Sequence, residues 1–149
     1  MSVCWFHVGF PAAEHRALDG QKGETIMLTS SDVIAFLATT NAERARAFYE
    51  GNLGLRLLDD NPFALVFDAH GVMLRIQKVQ SLNPPAHTSL GWSVSDIRGT
   101  IAALVQSGVE FERYAGLSQD PAGIWSSPSG AQVAWFLDPD GNVLSLTQF

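Results

Sequence analysis

A chain of 149 residues with 46% hydrophobic content can fill one core, or two small modules that share one. Fifteen acidic against nine basic residues leave a net charge of −6 with no Lys/Arg stripe, which excludes a phosphate-backbone footprint and with it a nucleic-acid partner. The single cysteine, Cys4, excludes an intrachain disulfide and a Cys-based zinc site, and no apolar run reaches the length of a bilayer span, so a soluble protein of the reducing cytoplasm is expected, with no membrane partner.

The stretch Val3 to Phe10 is apolar but is broken by His7 and has no positively charged lead, so it does not read as a secretory signal. Glu14 to Glu24 is polar and without periodicity, as a linker or loose arm is. Residues 1–32 are therefore expected to be an extension. A start at Met27 would leave a compact chain with residues 1–26 dispensable. If those residues belong to the protein, Trp5, Phe6 and Phe10 need a surface to pack on, such as a neighbouring subunit. His7, His15 and Cys4 are too scattered in this arm to form a site.

The first predicted strand, Val33 to Leu37, is continuously apolar, the pattern of a strand buried on both faces. Asn41 follows as an N-cap, with Glu43 in the first turn and Ala45, Phe48 and Tyr49 at helical spacing. Residues 42–51 should thus form an amphipathic helix, stopped by Gly51 or Gly54. Three strands come next, Leu55 to Asp59, Phe63 to Phe67 and Val72 to Lys78. The paired prolines within Ser81 to Ala86 make a joint. A second series then runs from the strand Thr88 to Val94, through the cap Asp96, to a helix with Ile97, Ile101, Leu104 and Val105 on one face and Gly108 at its end. It continues with a strand Val109 to Tyr114, a long loop Ala115 to Ile124, and strands Ile124 to Ser127, Gln132 to Leu137 and Val143 to Thr147.

The two series repeat one another. Phe67-Asp68-Ala69-His70-Gly71-Val72-Met73-Leu74-Arg75-Ile76 matches Leu137-Asp138-Pro139-Asp140-Gly141-Asn142-Val143-Leu144-Ser145-Leu146, so Asp68 falls on Asp138, Gly71 on Gly141 and Arg75 on Ser145. The reading is an α+β domain, residues 33–149, made of two βαβββ modules at 33–79 and 88–147.

Alternation along the strands sends Val72, Leu74, Ile76, Leu90, Trp92, Val94, Leu144 and Leu146 toward the helices. The opposite faces carry serines, an arginine, a glutamine and some apolar groups, the makings of a cavity wall rather than a second core. The expected ligand-binding residues are Ile34, Phe36, Met73, Arg75, Gln77, Ser89, Ser93, Tyr114, Trp125 and Ser145; no catalytic residue is assigned. Arg75 either pairs bidentately with a ligand carboxylate or phosphate or bridges to Asp59, Asp60 or Asp68. Trp125, like Trp135 and Tyr114, either stacks on a ligand or seals a core or dimer interface. The Asp138-Pro139-Asp140-Gly141 turn has the look of a cation loop, although a structural role accounts for it.

The duplication, the Phe136-Leu137-Asp138-Pro139-Asp140-Gly141-Asn142 hairpin and the Phe48-Tyr49-x-x-x-Leu53-Gly54 helix end together resemble the vicinal oxygen chelate superfamily, which contains glyoxalase I, extradiol dioxygenases and bleomycin-resistance proteins. The resemblance spans about residues 33–148. It implies curved mixed sheets enclosing a funnel, in which the enzymes hold a divalent metal through four positions that match Ile34, Arg75, Ser89 and Ser145. A Zn²⁺, Ni²⁺ or Fe²⁺ centre needs imidazole or carboxylate donors there. Ile34 has none, serines are poor ligands and Arg75 repels a cation. No metal or other cofactor is expected, with His87 as the fallback ligand.

The expected function is a metal-free small-molecule binding protein of the glyoxalase/bleomycin-resistance type. The alternative is a metal-dependent lyase, isomerase or dioxygenase, lactoylglutathione-lyase-like, in which a displaced register lets His87, Gln77 and His70 converge. A third reading is a dimeric scaffold whose apolar arm docks elsewhere. Four tryptophans and nine phenylalanines exceed what one small core hides, and resembling proteins of this length dimerise, so a homodimer is expected.

Overall fold

The computed structural model describes residues 28–149. The expectations placed on the arm, on Met27 and on Trp5, Phe6 and Phe10 lie outside the described residues. After one 3₁₀ turn at Leu28–Ser30, residues 32–149 form one compact unit.

Its first half runs β1 (Ile34–Thr39), α1 (Ala42–Arg46), a π-helical turn (Ala47–Asn52), β2 (Arg56–Asp60), β3 (Ala64–Ala69) and β4 (Val72–Lys78). The second runs β5 (Thr88–Ser93), α2 (Ile97–Gln106), β6 (Trp125–Ser126), β7 (Gln132–Leu137) and β8 (Val143–Gln148). Each half makes a four-stranded sheet, in the orders β1-β4-β3-β2 and β5-β8-β7-β6. In both, the outer pair β1/β4 or β5/β8 is parallel and the rest antiparallel, so the βαβββ unit is present twice.

The caps are those the residue types dictate. Asn41 accepts the amide of Arg44 at 3.0 Å, and Asp96 accepts that of Gly99 at 3.0 Å. Gly108 follows the second helix at φ +97°, a conformation a Cβ would resist. The first helix loosens into π geometry, with the amide of Leu53 reaching the carbonyl of Phe48 at 2.9 Å. Phe48 and Tyr49 sit on this turn and serve different sheets: Phe48 lies 6.5 Å from Phe136 of β7, and Tyr49 lies 5.7 Å from Phe67 of β3.

One hydrophobic core results. Leu37, Leu65, Phe67, Leu74 and Ile76 come from the first sheet, Ala134, Phe136, Leu144 and Leu146 from the second, and Ala45, Phe48, Tyr49, Ile97 and Ile101 from the helices. Each fully buried large side chain contributes roughly 1.5–3 kcal/mol relative to an exposed one. Both sheets turn their helix-covered faces into this cluster, and each has an outer face directed away from it.

The β7–β8 turn clasps the first module. Asp138 accepts the Tyr49 hydroxyl at 2.7 Å, Asp140 accepts the Thr39 hydroxyl at 2.5 Å and the Thr40 amide at 2.9 Å, and the Asn142 amide group donates to the Ala38 carbonyl at 2.9 Å. The carboxylates that resembled a cation loop are taken by protein donors. Burial pushes the Tyr49 hydroxyl far above its ordinary range, and the adjacent Asp138 charge adds to the shift. For Asp140 burial works upward, but the bonds from Thr39 and Thr40 and the Arg44 charge outweigh it and hold the carboxyl below its usual value.

Three expectations are corrected. The first strand, expected to be buried on both faces, is covered on one: Leu37 and Thr39 are buried, whereas Ile34 is 41% and Phe36 48% exposed. β1 is an edge strand with helices on a single side, so its odd and even positions part company. Val109 to Tyr114 is not a strand. It makes one bridge, Phe111 to Phe136, with the Glu112 amide on the Trp135 carbonyl at 2.7 Å. The Gln119 side chain occupies the Glu112 carbonyl at 3.0 Å and the Tyr114 amide at 2.8 Å, standing in for a neighbouring strand, and β6 takes the place beside β7. Val105, expected on the buried helix face, is 53% exposed. The covered stripe steps Ile97, Ile101, Leu104, and Val105 lies about 100° further round.

Candidate functional site

Arg75 stands at the centre of the outer face of the first sheet. Its cross-strand partners are Phe36 on β1 and Val66 on β3; one step along, Met73 lies between Ile34 and Asp68, and Gln77 lies between Ala38 and Ala64. Leu74 and Ile76, the residues flanking Arg75, are buried in the core, which fixes the arginine outward. Among the described residues its one polar contact is with the Met73 sulfur at 4.0 Å.

The three aspartates that could have bridged it are engaged elsewhere. Asp68 accepts from Arg56 at 2.9 Å and from the Gly71 amide at 2.8 Å. These bonds, the backbone one foremost, hold its carboxyl below the usual range. Asp60 takes Lys78 at 2.6 Å, and Asp59 takes the Asn61 amide group at 2.7 Å. Every other described arginine has an oxygen partner: Arg44 the Pro139 carbonyl, Arg46 Glu50, Arg56 Asp68, Arg98 Asp120, and Arg113 the carbonyls of Asp120 and Pro121. Of the two readings of Arg75, the internal bridge is not made.

The outer face of the second sheet is aromatic. Trp135 pairs with Ser145 on β8, Trp125 pairs with Val133 on β7, and the Trp135 ring meets Tyr114 edge-on at 5.6 Å and Trp125 at 6.2 Å. The Trp135 indole N–H reaches the Thr88 hydroxyl on β5 at 3.1 Å, so the ring spans β8 and covers Ser145, which is only 5% exposed. Thr88 faces this way because the β5/β8 register shifts between Thr88 and Leu90. A bulge there sets two residues against one and re-aims the first. Gly91 pairs with Ser145, and a Cβ at Gly91 would come within 2.6 Å of the Ser145 hydroxyl, so glycine lets that hydroxyl lie against the strand. Burial and then the Glu112 charge raise the Tyr114 hydroxyl, which stays a neutral donor.

The expected ligand-binding residues thus assemble into two groups. Ile34, Phe36, Met73, Arg75 and Gln77 share the first outer face, with Gln77 exposed at its end. Ser93, Trp125, Tyr114 and Ser145 share the second, and Ser89 sits in the bulge with its hydroxyl near the His87 carbonyl at 3.5 Å. Among the described residues no hydrogen bond, ion pair or ring contact joins the two groups. Two cavities lie off both faces. One, about 230 Å³, is apolar and sits between Leu53, Leu55, Leu104 and Phe136, touching the expected set only at Ser93. The other, about 280 Å³, is bounded by Phe48, Val109, Glu110 and Glu112.

The metal-ligand positions do not fit a metal. Ile34, Arg75, Ser89 and Ser145 offer no imidazole and no carboxylate, and among the described residues no three of His, Cys, Asp and Glu form a group. The alternative donors do not converge. His70 lies in the β3–β4 turn before Val72 while Gln77 is five residues further along β4, at least about 16 Å away at the rise of a strand. His87 is exposed in the joint and belongs to the other module.

Thr88 is absent from the expected set, and Trp135 figures in the sequence only as a ring that either stacks on a ligand or seals a core or dimer interface. Period two along β7 carries a signal for Trp135, since Val133, Trp135 and Leu137 share the face of Ser145. Nothing in the sequence marks the bulge that turns Thr88 outward.

Among the described residues no helix is long and apolar enough to cross a membrane. A family model described as the Glyoxalase/Bleomycin resistance protein/Dioxygenase superfamily matches residues 30–146. A comparison with curated proteins gives no match. Among solved structures, the chain is similar to a lactoylglutathione lyase from Agrobacterium tumefaciens, at 17% identity and a TM-score of 0.61 over 79% of this chain and 93% of that one. It is similar to a superfamily member from Sphaerobacter thermophilus, at 20% identity and a TM-score of 0.63 over 83% of this chain and 100% of that one. A glyoxalase family protein from Enterococcus faecalis matches at 23% identity and a TM-score of 0.63 over 81% and 99%. Likeness at these identities shows the fold.

Proposed function

The chain belongs to the glyoxalase/bleomycin resistance protein/dioxygenase superfamily, and from that premise we propose that it is a metal-free small-molecule binding protein, working as a cytoplasmic homodimer. One observation carries the reading. The four positions where related enzymes are expected to hold a metal are Ile34, Arg75, Ser89 and Ser145, set among Phe36, Met73, Trp125 and Trp135 rather than among donors. Such a surface binds by apolar contact and a few placed polar groups.

The same faces support the homodimer of this reading. Ile34 and Phe36 stand in water in the single chain, and burying half-exposed apolar area favours association at roughly 25 cal/mol per Å² before the costs of docking. In this reading the first outer face of one copy looks onto the second outer face of another, with the ligand between them. A metal-dependent lyase of the same superfamily is the alternative, and it would need donors these residues do not supply.

Elemental mass spectrometry of the untagged protein, before and after incubation with Zn²⁺, Ni²⁺, Fe²⁺ and Mn²⁺, tests the proposal. Less than about a tenth of an equivalent is expected throughout. A compound panel read by thermal shift in the presence of a chelator should then yield binders. Near one equivalent of metal per chain would overturn the reading.

A further inference from the structure

We infer that the ligand of the first outer face is a monoanionic carboxylate on an apolar, flat body, with Arg75 taking the carboxylate and Phe36, Ile34 and Met73 receiving the rest. This rests on the small-molecule reading above and goes beyond it by naming the chemistry.

A half-buried guanidinium gives up hydration on the side it turns to the sheet, and it needs an acceptor to recover it. Among the described residues Arg75 has none: across the strands it meets Phe36 and Val66, along its own strand Met73 and Gln77, and its single polar contact is with sulfur at 4.0 Å. Asp68, diagonal to it on the same face, is already held by Arg56 and the Gly71 amide. The protein builds an arginine among apolar groups and occupies the neighbouring acids with other donors. That arrangement leaves a five-donor planar fork for an acceptor from outside the chain, and a carboxylate matches the fork with two parallel bonds.

Charge decides between acceptors. The other arginine on this face, Arg56, is neutralised by Asp68, and Lys78 is paired with Asp60. A dianionic phosphate on this face would therefore meet one free cation among the described residues, in a protein of net charge −6. A monoanion is matched one to one. The body of the ligand is set by what surrounds the fork: Ile34 and Phe36 present apolar area to solvent on the adjacent strand, and Met73 adapts to an aromatic ring edge.

Calorimetric titration of the full chain with four probes tests this: 2-naphthoate, its uncharged isostere 2-naphthamide, 2-naphthyl phosphate, and naphthylmethylammonium. Naphthoate is expected to bind at least about tenfold tighter than the amide, as a charge-assisted pair confers. Arg75→Met should abolish that advantage while the amide still binds. Arg75→Lys, which keeps the charge and loses the fork, should retain part of it, and it serves as the readout if thermal melting shows Arg75→Met to be unfolded. Equal affinity for acid and amide, an acid advantage that survives Arg75→Met, or a preference for the phosphate would overturn the inference. If Arg75→Met instead lowers the dimer mass and leaves the acid advantage intact, a carboxylate of the second copy is the partner and the inference falls. Binding of the amide or the ammonium without acid preference sinks the carboxylate and leaves the small-molecule reading standing; no binding by any of the four counts against both.

Discussion

The Trp135 indole donates to the Thr88 hydroxyl at 3.1 Å from two strands away, so a single ring ties β7 to β5 over the top of β8. It makes the second outer face a fixed aromatic surface rather than a set of separate side chains, with Tyr114 and Trp125 packed against it.

Trp135→Phe keeps most of the apolar area and removes the N–H, while Thr88→Val removes the acceptor. Each should lower stability in urea by about 0.5–1.5 kcal/mol. The double variant should cost little more than either single one, since both remove the same bond. Additive losses would mean that the indole and the hydroxyl act independently.

Tyr49→Phe removes a donor from a buried carboxylate. Asp138 keeps the Asn142 amide group at 2.7 Å and the amides of its own turn, but loses the bond at 2.7 Å that joins it to the first module. The expected cost is about 1–3 kcal/mol by chemical denaturation, with the fold retained. A loss below half a kilocalorie would show that water replaces the phenol.

Stability should fall at both ends of the pH scale. The Tyr49 hydroxyl is raised by burial and then by Asp138, so its contribution is complete below the unfolded tyrosine value of about 10 and is lost as pH rises beyond it. Asp68, Asp120 and Asp140 are lowered, so their contributions are present above the unfolded carboxylate value of about 3.9 and vanish as pH falls through their folded values. Melting temperatures across pH 2 to 11 test both limbs. Tyr49→Phe should flatten the alkaline limb and leave the acid one in place.

Phe36→Glu places a charge on a side chain that is half exposed in the single chain. If the chain is the proposed homodimer, sedimentation should show a shift from dimer toward monomer, with the melting temperature of the monomer close to that of the parent chain at high dilution. An unchanged mass would remove Phe36 from the interface.

Much of the fold could be read before the structure. The repeat of Asp68/Gly71 in Asp138/Gly141 gave both hairpins, and the limits of β4 and β7 match the alternation of Val72 to Lys78 and Gln132 to Leu137. The misses have local causes. Val33 to Leu37 is uniformly apolar although only one of its faces is covered, and composition cannot tell a buried face from an exposed one. Val109 to Tyr114 alternates well enough for a strand, but a glutamine ten residues from its start takes its backbone groups, a contact no periodicity encodes. For the site, alternation placed Arg75 and Ser145 on outer faces, whereas the bulge at Ser89 and the freedom of Arg75 from its nearby aspartates depend on geometry between strands.

The clasp of the β7–β8 turn on Thr39, Thr40 and Tyr49 also has a consequence for synthesis. Ribosomes deliver the amino-terminal half first, yet the carboxylates that accept from Thr39, Thr40 and Tyr49, and the Asn142 amide group that donates to Ala38, belong to residues 138–142 of the second module. A nascent first module therefore waits, with Phe48 lacking Phe136 and Tyr49 lacking its carboxylate, until residues 136–142 have left the exit tunnel. A chain that stops before residue 138 lacks the latch on β1 and the π turn, so stalled or clipped chains of this protein should be substrates for chaperones and proteases rather than half-sized folded units.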